Sequence, residues 1–565
     1  MSEPRLPIPA LLPDTEAFWR ACHDGRLEVN RCQSCGWFIH PSRPVCSRCQ
    51  SRDVKPHQLS GKGVVFSYTI NYQPWIPNMS LPFIIALVEL AEQKGLRLTT
   101  NLINCPVESV RIGMPVKVVF KQVSDEVGLA LFEPDSQAQD GEGRTAPAMD
   151  APPKITETEY VAAHPLRRVA EVDRAERKVI ISGVGQSAIG RRLLTRGDVD
   201  LTTEAALEAI ADAGLRVDEI DGVACYPGGG VGGGAGFSGP GIPEMADALG
   251  LSVSWHLGAG EGPGQMTPVF AACLAVAAGM CRHCLVYRTV SEGSAQARAG
   301  RGRAGIGAGA HEVSGPFAYL LPYGAMSAGN WLAVYATRHM HQYGTRREHL
   351  GAIALAGRRH AAFNPKAIYR EPITMDDYLN ARLVSWPFGL FDCDVPCDGS
   401  TAVVLSHVDT ARDRPKPAVR VNAIGTAMRS RANWDQWEDI TTGPQRDAAA
   451  HLWSRTDLKP SDVNTAQLYD GFSFLTLAWL EALGFCKKGE GGPFMEGGRI
   501  ELGGALPINT WGGQLSGGRL HGFGFLAEAI RQVRREAGQR QVPACEVAAV
   551  GVGGGTYCGC MLLTR

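Results

Sequence analysis

The chain has 565 residues, 44% of them apolar and 20% charged, and a formal net charge of −1. That is the profile of a globular protein of two or three domains; it excludes the basic surface of a nucleic-acid binder and the polybasic run of an anionic-membrane binder. No apolar stretch approaches the roughly 18 residues of a membrane-spanning helix. The start, MSEPRLPIPALLPDTEAFW, lacks the regions of a secretory signal. The sixteen cysteines are therefore expected as reduced thiols of a cytoplasmic protein, apart from the metal ligands below.

An amphipathic helix is predicted over 14–24, anchored by Phe18, Trp19 and Leu27. Next comes RCQSCGWFIHPSRPVCSRC, two Cys-x2-Cys pairs with ten residues between them. Each pair turns tightly and aims two sulfurs at one point, and two facing pairs make the tetrathiolate site that zinc prefers. Cys32, Cys35, Cys46 and Cys49 are the predicted ligands of one structural Zn²⁺. Four thiolates leave no open position for chemistry. Helix and ribbon occupy 1–58. Over 59–134 five short β-rich runs follow, GVVFSYTINY, FIIALVEL, LRLTTNLI, PVKVVFKQV and LALFEP, spaced as in a small barrel. Residues 135–177 are rich in Ala, Pro, Gly, Gln and acids and read as a linker.

From 178 onward strand and helix alternate. VIISGVGQSA is a strand, TEAALEAIADAGL a helix ending at Gly214, and GVACY a strand. The glycine-rich PGGGVGGGAGFSGPG is followed by a helix over about 267–279 and the strand CLVYRTV. A second set opens with AVRVNAIGTAM and closes with EVAAVGVGG and GCMLLTR. Two such sets make an α/β domain with a duplicated core, halves at about 178–412 and 413–565. The glycine runs lack both the dinucleotide fingerprint and the P-loop Lys-Ser/Thr pair, and read as plain loops.

Two resemblances rest on longer blocks. Residues 1–134 resemble the OB-fold proteins that carry a rubredoxin-like zinc ribbon, on FWRACHDGRLEVNRCQSCGWFIHPSRPVC and the barrel strands after it. Residues 178–565 resemble the lipid-transfer-protein-like branch of the thiolase superfamily. The blocks are AMSAGNWLAVYATRHMHQYGT, FDCDVPCDGSTAVVL, LYDGFSFLTLAWLEALGF, LPINTWGGQLSGG and LHGFGFLAEAIRQVR. The implied fold is a duplicated five-layer α/β thiolase-like domain preceded by a zinc ribbon and an OB-fold barrel. The implied substrate is a coenzyme A thioester.

Thiolases acylate a cysteine at the start of a central helix, where the helix dipole favours the thiolate. In this chain that start falls in GAGEGPGQMT, which has no cysteine, and Cys273 comes too late. The thiolase histidine position carries Arg519, with His521 two residues on; the second cysteine position carries Gly551, and Cys558 and Cys560 lie beyond it. Acyl-enzyme chemistry lacks its nucleophile. Retro-aldol cleavage of a β-hydroxyacyl-CoA needs only an acid–base group and donors for an enolate oxygen. The branch members that pair with a zinc-ribbon OB partner include steroid side-chain aldolases, in which pocket tyrosines move protons.

That resemblance implies Tyr469 in LYDGF as the acid–base group, the alternative being a packed tyrosine at a strand end. Asp470 orients Tyr469 or a backbone turn; His521 carries a proton or is structural. Arg519 replaces a second family tyrosine: it shifts that role to His521, holds a carboxylate or phosphate, or keeps a phenol ionised. Asn509 and the amides of Gly512 and Gly513 are candidates for the thioester oxygen, and His256 for a further substrate contact. Asp392, Asp394 and Asp398 imitate a cation site but belong to a block that is structural in the family. The expected assembly is a homodimer through the thiolase-like domain, with the ribbon–barrel module docked on it. Two other functions stay open: an acyltransferase with another nucleophile, and a non-catalytic acyl-CoA or lipid carrier.

Overall fold

The computed structural model describes residues 6–136, 173–228, 235–299 except 259, 261 and 263, 310–428, and 434–565 except 438. Most of the expected linker, part of the glycine-rich loop and three positions of the expected GAGEGPGQMT turn lie outside the described residues. The first helix, Glu16–His23, buries Phe18, Trp19 and Cys22 against the barrel. It comes so close that a Cβ on Gly128 would lie 2.3 Å from His23 N. The ribbon is a three-stranded antiparallel sheet of Glu28–Cys32, Phe38–Ile39 and Val54–Gln58.

The barrel strands run Lys62–Asn71, Phe83–Leu90, Arg97–Leu102, Gly128–Pro134 and Pro115–Gln122 in spatial order, and the last pairs back onto the first. The run FIIALVEL shows why one strand is apolar at nearly every position. Ile84, Ala86, Val88 and Leu90 fill the barrel, while Leu87 and Ile85, on the opposite face of the pleat, enter clusters of the large domain. The barrel sheet is also continued by Leu383–Ser385 from the large domain, where Ser385 pairs with Asn71. Thr69 Oγ1 meets Ser385 Oγ at 2.8 Å, and Asn330 Nδ2 donates to Asn71 Oδ1 at 3.0 Å. Arg97 is buried at this contact and donates to Trp437 O at 2.6 Å.

The large domain is built on a nine-stranded sheet. Its two halves meet where Val179–Gln186 pairs antiparallel with Val419–Met428. Outward from that seam the halves repeat each other: Asp398–His407 matches Tyr557–Thr564, His283–Ser291 matches Val547–Gly553, and Gly222–Cys225 matches Thr465–Leu468. The strand directions repeat as well, antiparallel, antiparallel, then parallel. The first half adds Trp255–Gly258, which is the outermost strand on that side among the described residues.

Outer helices press on equivalent glycines. A Cβ on Gly183 would lie 2.0 Å from Ala209 O of helix Asp198–Asp212, and one on Gly425 would lie 2.1 Å from Ala448 O of helix Gln445–Ser454. Only glycine permits that approach of helix to strand. On the inner side, helices Thr267–Ala277 and Phe523–Arg534 share one core, and the second touches strands of both halves. The layers run helix, half-sheet, central helix pair, half-sheet, helix.

Candidate functional site

The four ribbon cysteines bring their Sγ atoms within 4.8 Å of one another, with 3.6 Å from Cys32 to Cys49 and 3.7 Å from Cys35 to Cys46. A tetrahedron of zinc–sulfur bonds of about 2.3 Å needs sulfurs roughly 3.8 Å apart, so the donors fit a tetrathiolate metal ion. Each knuckle is closed by a backbone bond, Gly36 N to Cys32 O at 2.9 Å and Gln50 N to Cys46 O at 2.8 Å. The acidic trio of the large domain is not a second such site. Asp392 is spent on Tyr378, Ser473 and Gly389 N, Asp394 on Arg519, and Asp398 on Leu193 N and Ser294.

A second cluster forms where the parallel strands end and the central helices begin, the position at which α/β folds place ligands. Tyr469 follows strand Thr465–Leu468, and its N–H donates to Gly551 O at 2.8 Å. His521 precedes helix Phe523–Arg534 in a left-handed conformation, φ +51°. Gln265, just before helix Thr267–Ala277, links them: its Nε2 lies 3.5 Å from Tyr469 Oη and 3.4 Å from His521 Nε2. Tyr226 and Phe237 pack against the imidazole, ring centres at 5.8 and 4.7 Å, Phe237 edge-to-face. Its Nδ1 lies 3.2 Å from Arg288 Nη2.

The electrostatics follow from burial. Burial lifts the Tyr469 phenol well above its ordinary range; Asp394 adds to this and Arg519 works against it. Burial, then Arg288 and Arg519, hold His521 far below the usual imidazole range. Burial pulls Arg288 down to about 10, so it stays charged at neutral pH. Two of these groups therefore rest as neutral hydrogen-bonding partners beside a cation.

The comparisons with known proteins accord with this geometry. Residues 426–563 match the "Thiolase C-terminal domain-like" family, and residues 56–121 match "ChsH2, C-terminal OB-fold domain". A "Steroid side-chain-cleaving aldolase" of Thermomonospora curvata is 37% identical over 364 residues, covering 63% of this chain and 90% of that protein. This chain belongs to the steroid side-chain-cleaving aldolase family. A "17-hydroxy-3-oxo-4-pregnene-20-carboxyl-CoA lyase" of Mycobacterium tuberculosis is 34% identical over 373 residues, covering 63% of this aldolase and 91% of the relative. A solved "Ltp2-ChsH2(DUF35) aldolase" superimposes with TM-score 0.62 at 32% identity, over 70% of the aldolase and 99% of that chain. The aldolase is a carbon–carbon lyase of the thiolase superfamily, with an OB-fold module on the same polypeptide.

Several residues expected at the site are placed elsewhere or committed to other partners. His256 is exposed on the edge strand. It pairs with Val223, which packs toward the outer helix, whereas its neighbours Trp255 and Leu257 pack into the central core; alternation along the strand turns it away from Tyr469. The Asp470 carboxylate is turned to the following loop, accepting from Gln514 N at 2.7 Å and Asn509 Nδ2 at 3.2 Å. Of its two expected roles, the backbone turn is the one occupied.

Asn509 spends its amide on Leu468 N at 2.7 Å and Leu468 O at 2.8 Å, so it holds the strand end and leaves nothing for a thioester oxygen. The Gly512 amide donates to Asn509 O at 2.9 Å. Gly513 makes room for Asp470: a Cβ there would lie 1.9 Å from Asp470 Oδ2. Arg519 grips Glu292 through two bonds of 2.6 and 2.8 Å and Asp394 at 3.3 Å. A guanidinium already matched by two carboxylates is no receptor for a substrate anion.

The second cysteine position of a thiolase is closed in the aldolase, and the one cysteine of the central helix is inert. Gly551 lies against the Trp479 indole, which a Cβ would approach to 2.8 Å. Cys273 is fully buried in the central helix, and burial raises its thiol far above the thiolate range. Sequence reading missed Gln265, Arg288, Glu292, Tyr226 and Phe237. The one available signal was Gln265, which sits in the turn where a nucleophile was sought and none was found.

Proposed function

We propose that the aldolase cleaves the Cα–Cβ bond of a β-hydroxyacyl-CoA, with Tyr469 as the acid–base group and a steroid side-chain thioester as substrate. The carrying observation is Tyr469 itself: a buried phenol tied through Gln265 to a neutral histidine, with the second thiolase cysteine position closed at Gly551 and no cysteine in the turn that holds Gln265. As the Cα–Cβ bond breaks, the substrate hydroxyl proton moves onto the phenol oxygen while the phenol's own proton moves to Cα, so that oxygen never holds two protons. The hydroxyl O–H pair becomes the ketone C=O and the C–C pair becomes the new Cα–H bond. Proton and electron counts balance with no added reactant. Neutral hydrogen-bonding groups suit this sequence because charge appears on the enolate only as the bond breaks.

Support for the steroid assignment comes from the two curated relatives, both named for steroid substrates. The ribbon ion in this reading is Zn²⁺, bound by Cys32, Cys35, Cys46 and Cys49, which supplies a fold and no chemistry. A homodimer along the outermost strand Trp255–Gly258 belongs to the same reading, as does a cytoplasmic location. Among the described residues no helix is long and apolar enough to cross a membrane. The test is a panel of β-hydroxyacyl-CoA thioesters assayed for ketone and shortened acyl-CoA. Tyr469→Phe should lower cleavage by roughly 10²–10⁴-fold, the usual contribution of an acid–base group. Unchanged cleavage in that variant, or a covalent acyl-enzyme in the intact mass, would refute the assignment.

A further inference from the structure

The hydrogen-bond chain through His521 has only one consistent direction. A guanidinium donates and never accepts, so Arg288 Nη2, at 3.2 Å, makes His521 Nδ1 an acceptor. A neutral imidazole carries one N–H, which is then on Nε2. An imidazole accepting at both nitrogens would be an imidazolate. The Gln265 atom that faces His521 Nε2 at 3.4 Å must therefore accept, and only the carbonyl oxygen of an amide does that. The two ends of an amide are distinguished by their partners, and the opposite end of Gln265 is buried without one. The same accepting atom lies 3.5 Å from Tyr469 Oη. These distances are long, as catalytic hydrogen bonds often are before substrate enters. Room for the amide is provided by Gly522, φ +99°, where a Cβ would lie 2.9 Å from Gln265 Cβ.

We propose that Gln265 is a positioning residue that accepts the Tyr469 O–H and so turns the phenol lone pairs toward the substrate hydroxyl, with Arg288 setting the direction through the His521 tautomer. The proposal rests on the retro-aldol reading for its kinetic consequence but not for its geometry. A phenol whose hydrogen rests on Gln265 turns its lone pairs to the β-hydroxyl hydrogen, and the hydroxyl proton arrives on that oxygen as the phenol's own proton leaves Gln265 for Cα. Loss of the amide lets the phenol rotate and present its hydrogen instead.

The test pairs two substitutions. Gln265→Glu keeps two acceptor oxygens and should retain kcat/KM within about tenfold, whereas Gln265→Leu should lose roughly 10²-fold or more with KM little changed. Equal loss in both variants, each with wild-type thermal stability, would mean that the amide donates, and would overturn the proposal. Wild-type activity in Gln265→Leu would overturn it too. A separate readout needs no turnover: in ¹⁵N-histidine-labelled protein, the resonances absent from His521→Gln should report a proton on Nε2. A proton on Nδ1 overturns the proposed direction even if cleavage is confirmed. If no thioester is cleaved, an Nε2 proton still supports the geometry while the retro-aldol reading falls.

Discussion

At His521 two arginines act on one imidazole, Arg288 from 3.2 Å and Arg519 through the field. Protonation would set an N–H against a guanidinium, so the ring stays neutral across the working range and no break in the pH profile near 6.5 belongs to it. Asp470 behaves differently. Burial pushes its carboxyl up to about 8, against hydrogen bonds from Gln514 and Leu515 amides and Asn509. The folded chain therefore keeps a proton that the unfolded chain gives up in the ordinary carboxylate range. Stability conferred by that proton is present at low pH and lost as pH rises toward and through about 8. The wild-type melting temperature should fall between pH 6 and pH 9, and Asp470→Asn, unable to ionise, should flatten that slope while lowering stability overall by about 1–3 kcal/mol. A slope of equal size in the variant would reject Asp470 as its source. None of this was visible in LYDGF: adjacency of Tyr469 and Asp470 suggested a dyad, but a carboxylate's partners are set by the loop that folds back onto it, some forty residues later in the chain.

Among elements, those with a local signal were legible. The two Cys-x2-Cys knuckles, the five barrel runs and the glycine-spaced strands on either side of the seam each carry spacing or alternation readable in a short window. The strands Asp398–His407 and Trp255–Gly258 were not separated from their surroundings, because a fully buried strand lacks the polar alternation that marks a boundary and four residues are too few for alternation to stand out. That edge matters for assembly. Trp255–Gly258 ends the nine-stranded sheet with His256 and Gly258 exposed, and an unpaired edge strand is a template for a second copy. Light scattering should give twice the 60.6 kDa of one chain, and a monomer mass at micromolar concentration would reject pairing through this edge.

On the scale of the whole molecule, ribbon, barrel and thiolase-like domain are joined by shared core, shared sheet and buried hydrogen bonds. Removal of the ribbon metal should unravel residues held by the knuckles before it touches chemistry. Cys32→Ser, or chelation, is expected to lower the first unfolding transition and zinc content, with cleavage lost only in proportion to the folded fraction. A variant fully folded yet selectively slow in cleavage would contradict a structural role. The continuation of the barrel by Leu383–Ser385 also has a bearing on synthesis. Leu87, which packs into the large-domain core, is translated roughly 300 residues before that strand. At ~5–20 residues per second the nascent barrel waits about 15–60 s with an apolar outer face uncovered. The ribosome, rather than the finished enzyme, is where this fusion is most exposed to misassembly, and chaperone demand during translation should track the distance between those two segments.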